Sequence, residues 1–171
     1  MKILIAVMAY FTILCRKLLY SNMANRVRVE KYRILGVSIG RNCRIRPGVL
    51  IKGCKNVRIG SDVYLGECSR ITAYGANIDI QDNVLIAENV YISSRNHQFK
   101  DVSLSIAEQG YSSKNVIVSE NVWLAYGSVI TAGSHVPSGS VVAANTVFSR
   151  KENNSQAMLH RQVVSTSIIG G

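Results

Sequence analysis

From residue 37 to residue 148 the aliphatic side chains recur every sixth residue, in four phased blocks: Ile39, Ile45, Ile51, Val57; Ile59, Leu65, Ile71; Ile80, Ile86, Ile92; and Val118, Leu124, Ile130, Val136, Val142. Four residues after many of them stands a small or β-branched side chain: Val49, Val63, Ser69, Val84, Val90, Val122, Ser128, Ser134, Ser140, Thr146. A helix would repeat apolar positions at three and four residues and an alternating strand at two. A period of six is neither. It describes a short strand plus a turn, with one large inward aliphatic and one small inward residue near the corner. Three such units make a triangular coil of eighteen residues, and stacked coils make a solenoid whose aliphatics run in ladders along its axis. At about 25 cal/mol per Å² of buried apolar area, those ladders are the main stabilising term. Phase shifts after Val57 and between Ile71 and Ile80 predict small corner insertions, and the break from Ser93 to Asn115 predicts an extruded loop.

Ahead of the repeat, Ile3 to Cys15 is apolar except for Thr12, and Arg16-Lys17 and Leu18-Leu19-Tyr20 follow. As a helix these thirteen residues reach roughly 20 Å, short of the ~30 Å hydrocarbon core that a spanning helix crosses. A cleaved leader is not expected, because the stronger positive charge follows the apolar run and no small-x-small site succeeds it. Two readings stand open: a helix packed on its own domain or on a sister subunit, and a helix lying in a membrane interface with Arg16, Lys17, Arg26, Arg28, Lys31 and Arg33 facing anionic headgroups. The expected organisation is a helical segment over 1–36, the solenoid over 37–148 with its loop at 93–115, and a tail over 149–171. The two terminal segments are expected to cap the open ends of the repeat.

Charge and composition sharpen this picture. The 171 residues are 47% hydrophobic, which excludes a disordered chain, and the net charge is +10. Residues 1–58 hold thirteen of the twenty Lys and Arg and one of the ten acids, Glu30, so the basic region is N-terminal. An acceptor or partner that is anionic, membrane-linked, or both would answer that charge. No nucleic-acid recognition motif accompanies it, and nucleic acid is not an expected partner. Cys15, Cys43, Cys54 and Cys68 form no CxxC pair and are read as thiols of a cytoplasmic protein, peripheral at the inner face of the inner membrane if the N-terminal helix binds lipid. His97, His135 and His160 lie at spacings unsuited to a metal site, and none is expected.

The phased hexapeptides resemble those of the hexapeptide-repeat acyltransferases, and the resemblance implies a left-handed parallel β-helix. The stretch Ser93-Ser94-Arg95-Asn96-His97-Gln98-Phe99, following Asp82 to Val90, is similar to the active-site segment of the O-acetyltransferase branch, the maltose, galactoside and polysaccharide enzymes. The resemblance makes His97 the general base. Deprotonating a sugar hydroxyl for attack on a thioester needs a base with a pKa near 7, which histidine supplies. Asn96 is a candidate to orient the ring or the acceptor, or a turn residue. Glu67 and Arg95 are candidate acceptor contacts, and a solvated rim charge is the other reading of Glu67.

Asn121-Val122-Trp123-Leu124-Ala125-Tyr126-Gly127-Ser128 resembles the family segment that lies along the pantetheine arm of coenzyme A, although Ala125 stands where glycine is usual. The resemblance assigns Trp123, Ala125, Tyr126 and Gly127 to the cofactor, with a backbone N–H near Tyr126 stabilising the oxyanion. Ala143, Ala144 and Ser149 would line the cofactor further on, and Arg150 and Lys151 would meet its phosphates. Where relatives carry an alanine-glycine-valine-proline-alanine-lysine run, this chain has Ala157-Met158-Leu159-His160-Arg161-Gln162. The family further implies a homotrimer, with the histidine of one subunit facing acetyl-CoA held by its neighbour. The expected activity is acetyl-CoA-dependent O-acetylation of a bacterial surface-polysaccharide sugar or glycolipid intermediate. The alternatives are acetylation of a xenobiotic or simple sugar, and a non-catalytic trimer that binds a polyanion.

Overall fold

The computed structural model describes residues 2–149. Three parallel sheets form the sides of a triangular prism. The first sheet is built from Ser38–Ile39, Val57–Ile59, Ile78–Ile80, Val116–Val118 and His135–Val136. The second comprises Arg44–Ile45, Tyr64–Leu65, Leu85–Ile86, Trp123–Leu124 and Val141–Val142. The third comprises Leu50–Lys52, Arg70–Thr72, Tyr91–Ser93, Val129–Ile130 and Val147–Phe148. Strands of two or three residues cannot bury a face alone, so each coil depends on its neighbours for a core.

Register turns the period of six into ladders. Ile39, Ile59, Ile80, Val118 and Val136 align on the first sheet, and Ile45, Leu65, Ile86, Leu124 and Val142 on the second. On the third, Ile51, Ile71, Ile92 and Ile130 align and Phe148 closes the row. All but Ile39 are buried. The sequence pattern placed Val57 in the first block, but the register puts Val57 opposite Ile78 and Ile59 in the main ladder. The reason is a turn over Cys54–Asn56 that adds two residues before the first sheet resumes.

The corners explain the small residues. Most take one residue in the left-handed region: Asn42, Asp62, Asn83 and Asn121 between the first and second sheets, and Gly48, Cys68, Asn89, Gly127 and Asn145 between the second and third. Asparagine and glycine adopt that conformation at low cost. Two of the inward hydroxyls close their own turns, Ser69 Oγ donating to the Gly66 carbonyl at 2.8 Å and Thr146 Oγ1 to that of Ala143 at 2.7 Å.

Two helices precede the prism, α1 (Lys2–Leu19) and α2 (Asn22–Ile34), where the pattern gave one apolar segment. Ser21 caps α2 by accepting from the Ala24 N–H. Helix α2 covers the open edge of the first coil and supplies partners for backbone groups that would lack them. Asn25 donates to the Cys43 carbonyl and accepts from the Ile45 N–H, while buried Tyr32 donates to the Val49 carbonyl at 2.7 Å. Helix α1 is not packed on the solenoid: Ile5, Tyr10, Phe11, Leu14 and Leu18 are all more than half exposed. This removes the reading in which the apolar run buries itself on its own domain. Among the described residues no helix is long and apolar enough to cross a membrane.

Candidate active site

The break in the repeat opens as an antiparallel hairpin, Arg95–His97 against Tyr111–Ser113, rather than as irregular loop. Its base is locked into the prism. Ser93 Oγ turns back to the Arg95 carbonyl at 2.8 Å, and Ser94, fully buried, takes the Thr72 carbonyl with its N–H at 3.0 Å. Gly75 completes the fit: it holds φ +72°, and a Cβ there would lie 2.6 Å from Ser113 Oγ.

Hairpin pairing sets His97 opposite Tyr111, and their ring centroids lie 4.2 Å apart with planes tilted by 45°. Arg95, two residues back, shares His97's face of the strand. Its guanidinium carbon sits 3.9 Å from the Tyr111 ring and 4.8 Å from the Tyr74 ring. The result is one row, Tyr74, Arg95, Tyr111 and His97, of cation–π and aromatic contacts. Among the described residues neither ring nitrogen of His97 has a hydrogen-bond partner, whereas His135 Nε2 is engaged by Ser119 Oγ at 3.0 Å. Asn96, expected to orient the ring or form a turn, lies within the strand and faces the other way. Tyr74 and Tyr111 escaped sequence reasoning because neither belongs to a motif; only the chain reversal brings residue 111 to residue 97.

Beside the hairpin, at the corner between the third and first sheets, is a polar cavity lined by Asn56, Asn77, Ser113, Lys114 and Asn115. Asn115 Oδ1 accepts from the Asn77 N–H at 2.9 Å, and the Lys114 stem crosses Gly133.

The residues assigned to the cofactor lie elsewhere. Trp123 is half-exposed on the second sheet, with Leu85 and Val141 as its neighbours in register. Ala125, Tyr126 and Gly127 form the next corner, between the second and third sheets, and Ala143 and Ala144 form the same corner one coil on. The Ala125 N–H donates to Val142 and the Gly127 N–H to Glu88. Among the described residues the Tyr126 N–H has no acceptor, and its side-chain oxygen accepts from Asn89 at 3.1 Å. Ser149 is exposed beyond the last strand, at the corner that carries His97. Arg150, Lys151 and the run Ala157 to Gln162 lie outside the described residues.

Glu67 occupies the second–third corner one coil before Glu88, and there it meets the α1–α2 elbow instead of the hairpin. The Tyr20 hydroxyl bonds to Glu67, which raises the Tyr20 pKa, and the Arg46 guanidinium carbon lies 4.3 Å from the Tyr20 ring centroid. Apart from Ser149, the described cofactor candidates therefore lie away from the corner of one prism that carries His97. Four residues of strand and turn, Gly127 to Ile130, separate Tyr126 from Thr131, a span of roughly 15 Å at the usual rise per residue.

No family model matches the chain. A galactoside O-acetyltransferase of Lactococcus lactis is 29% identical over 125 residues, 72% of this chain and 58% of that protein. An Escherichia coli protein provisionally named a colanic acid biosynthesis acetyltransferase is 25% identical over 121 residues, 71% of this chain and 63% of that one. The chain thus matches somewhat under two-thirds of the length of these relatives. Among solved structures, a hexapeptide-repeat acetyltransferase of Vibrio cholerae in complex with acetyl-CoA superposes with a TM-score of 0.67 at 23% identity, covering 78% of this chain and 71% of that one. Repeat, ladders and solved structures agree on the fold, a left-handed hexapeptide-repeat β-helix, and the sequence relatives described above are named as acetyltransferases.

Proposed function

We propose that the protein transfers an acetyl group from acetyl-CoA to a hydroxyl of a bacterial surface-polysaccharide sugar or glycolipid intermediate, with His97 as general base. The observation that carries this reading is the presentation of His97: a histidine whose ring nitrogens meet no hydrogen-bond partner among the described residues, braced by Tyr111 on a hairpin that the prism locks in place. His97 accepts the proton of the acceptor hydroxyl as that oxygen attacks the thioester carbonyl. The C–S bond then breaks, the protonated imidazole returns the proton to the departing sulfur, and no acyl-enzyme forms. The Tyr126 N–H, without an acceptor among the described residues, is the donor for the oxyanion. The asparagines and Lys114 of the adjacent cavity suit sugar hydroxyls and an acidic substituent. The named relatives support the reaction class, and the E. coli protein supports a polysaccharide acceptor.

A neighbouring copy completes the site in this proposal. Because His97 and Tyr126 stand at different corners of one chain, the thioester reaches His97 from a second subunit, as in a homotrimer with its sites between subunits. The test is thiol release from acetyl-CoA by the parent protein and by His97→Ala with a panel of acidic bacterial polysaccharides. Acceptor-dependent release that falls by a factor of about 100 or more in His97→Ala, with thermal unfolding unchanged, is the expected result. Release with small sugars or xenobiotics alone would move the acceptor to the small-molecule class. Absence of release with every acceptor, together with absence of coenzyme A binding, would leave a polyanion-binding module.

A further inference from the structure

Among the described residues nothing covers the apolar side chains of helix α1, and its surface is unusual for a helix exposed to water. Ile5, Val7, Met8, Tyr10, Phe11, Ile13, Leu14, Leu18 and Leu19 are each more than 50% exposed. At about 100° per residue they fall on every side of the axis, with no gap wider than about 80°. A helix apolar all round belongs in an apolar medium, while one that docks on protein shows a stripe. The helix contains no acid and ends in Arg16 and Lys17. Around the elbow that follows, Arg28 Nη1 donates to the Leu19 carbonyl at 2.9 Å, and the Arg16 and Arg46 guanidinium carbons lie 5.9 and 4.3 Å from the Tyr20 ring centroid. The exposed cations at the foot of this apolar helix, Arg16 and Lys17, match the phosphate oxygens of a lipid headgroup.

We infer that α1 sinks along its length into one leaflet of an anionic phospholipid bilayer, with Arg16 and Lys17 taking headgroup phosphates at its C-terminal end. A second copy of the chain fits the same surface less well, because parallel packing of α1 against α1 would bring the Arg16-Lys17 ends together. Length argues against crossing: the apolar stretch from Ile3 to Cys15 reaches about 20 Å, which suits one leaflet. The inference stands apart from the acetyl transfer proposed above, because it concerns residues that touch neither His97 nor the corner at Tyr126.

Vesicle flotation of the full chain tests it, with phosphatidylcholine vesicles compared with vesicles containing about one-third phosphatidylglycerol. The chain is expected to float with the anionic vesicles at low salt, to be released by alkaline carbonate, and to lose at least tenfold in binding near 0.5 M salt. Phe11→Ser with Leu14→Ser should reduce binding at least tenfold, and Arg16→Gln with Lys17→Gln by a similar factor, since each surface cation is worth about fivefold. These changes lie outside the solenoid core, and flotation of the unsubstituted chain decides the main question without them. Failure to float with either vesicle overturns the inference, as does binding indifferent to both pairs of substitutions. Resistance to carbonate would replace it with a spanning helix. Dissociation of an oligomer by Phe11→Ser, without vesicle binding by the parent, would replace it with a second copy.

Discussion

Cys68 is the residue at odds with its position. At the corner between the second and third sheets its counterparts are Gly48, Asn89, Gly127 and Asn145, all in the left-handed region, and Cys68 holds φ +58° in their company. Its side chain is exposed, so nothing buried is lost by changing it. Cys68→Asn is expected to stabilise the protein by about 1 kcal/mol, the strain of a left-handed residue that asparagine escapes. Urea unfolding of the two proteins checks the direction. Sequence reasoning, through the family resemblance, singled out His97, at the break in the repeat, and Trp123, the one tryptophan of the chain, as candidates. It missed Tyr111 and Tyr74, since ring contacts across a reversal leave no periodic trace. Nor did it foresee the neighbour of Glu67 within the chain, Tyr20, 47 positions away in sequence.

Among the elements, the hairpin and its loop differ most from their surroundings. The loop at 98–110 is held by its own polar side chains. Asp101 accepts from the Ser103 N–H and hydroxyl, Glu108 accepts from those of Ser105, and both carboxyls are drawn below their ordinary values of 3.8 and 4.5 by these bonds. A depressed carboxylate pKa adds stability above its unfolded value, and that stability disappears as pH falls through the folded one. Acidification below about pH 4 should therefore loosen the loop while the apolar ladders hold. Amide exchange across residues 98–110, compared with the prism at the same pH, measures it; equal loss in both would contradict the local origin. The solenoid strands were legible because each contributes one aliphatic to a ladder. The hairpin was not, because Arg95–His97 and Tyr111–Ser113 are polar on both faces and match no hydrophobic period. The phase error at Val57 has the same root: Val57 and Ile59 are both buried, and periodicity alone cannot choose between two aliphatics two residues apart.

At the scale of the whole molecule, the division of candidate residues between two edges makes the assembly testable. In an equal mixture of His97→Ala and Trp123→Ala subunits, denatured and reassembled, about a quarter of the sites would pair an intact His97 with an intact Trp123 on the next subunit, and activity should recover to about that fraction. Sites contained within one chain would recover none. The family resemblance implied such a division, although His97 and Trp123 stand only 26 residues apart in the sequence.

The spacing of the ladders carries one further consequence. From the first sheet to the second and from the second to the third the step is six residues in every coil, from Ile39, Ile45 and Ile51 to Val136, Val142 and Phe148. All variation in coil length falls at the third–first corner, in the turns at 53–56 and 73–77 and in the excursion at 93–115. Two edges are thus held constant by the backbone bonds that stack one coil on the next, and the remaining edge is free to accept inserted chain. The proposed donor corner is one of the constant edges, and the proposed acceptor cavity lies on the variable one. Such a scaffold lets its choice of acceptor diverge by exchanging loops on a single edge, with the machinery for the thioester left untouched.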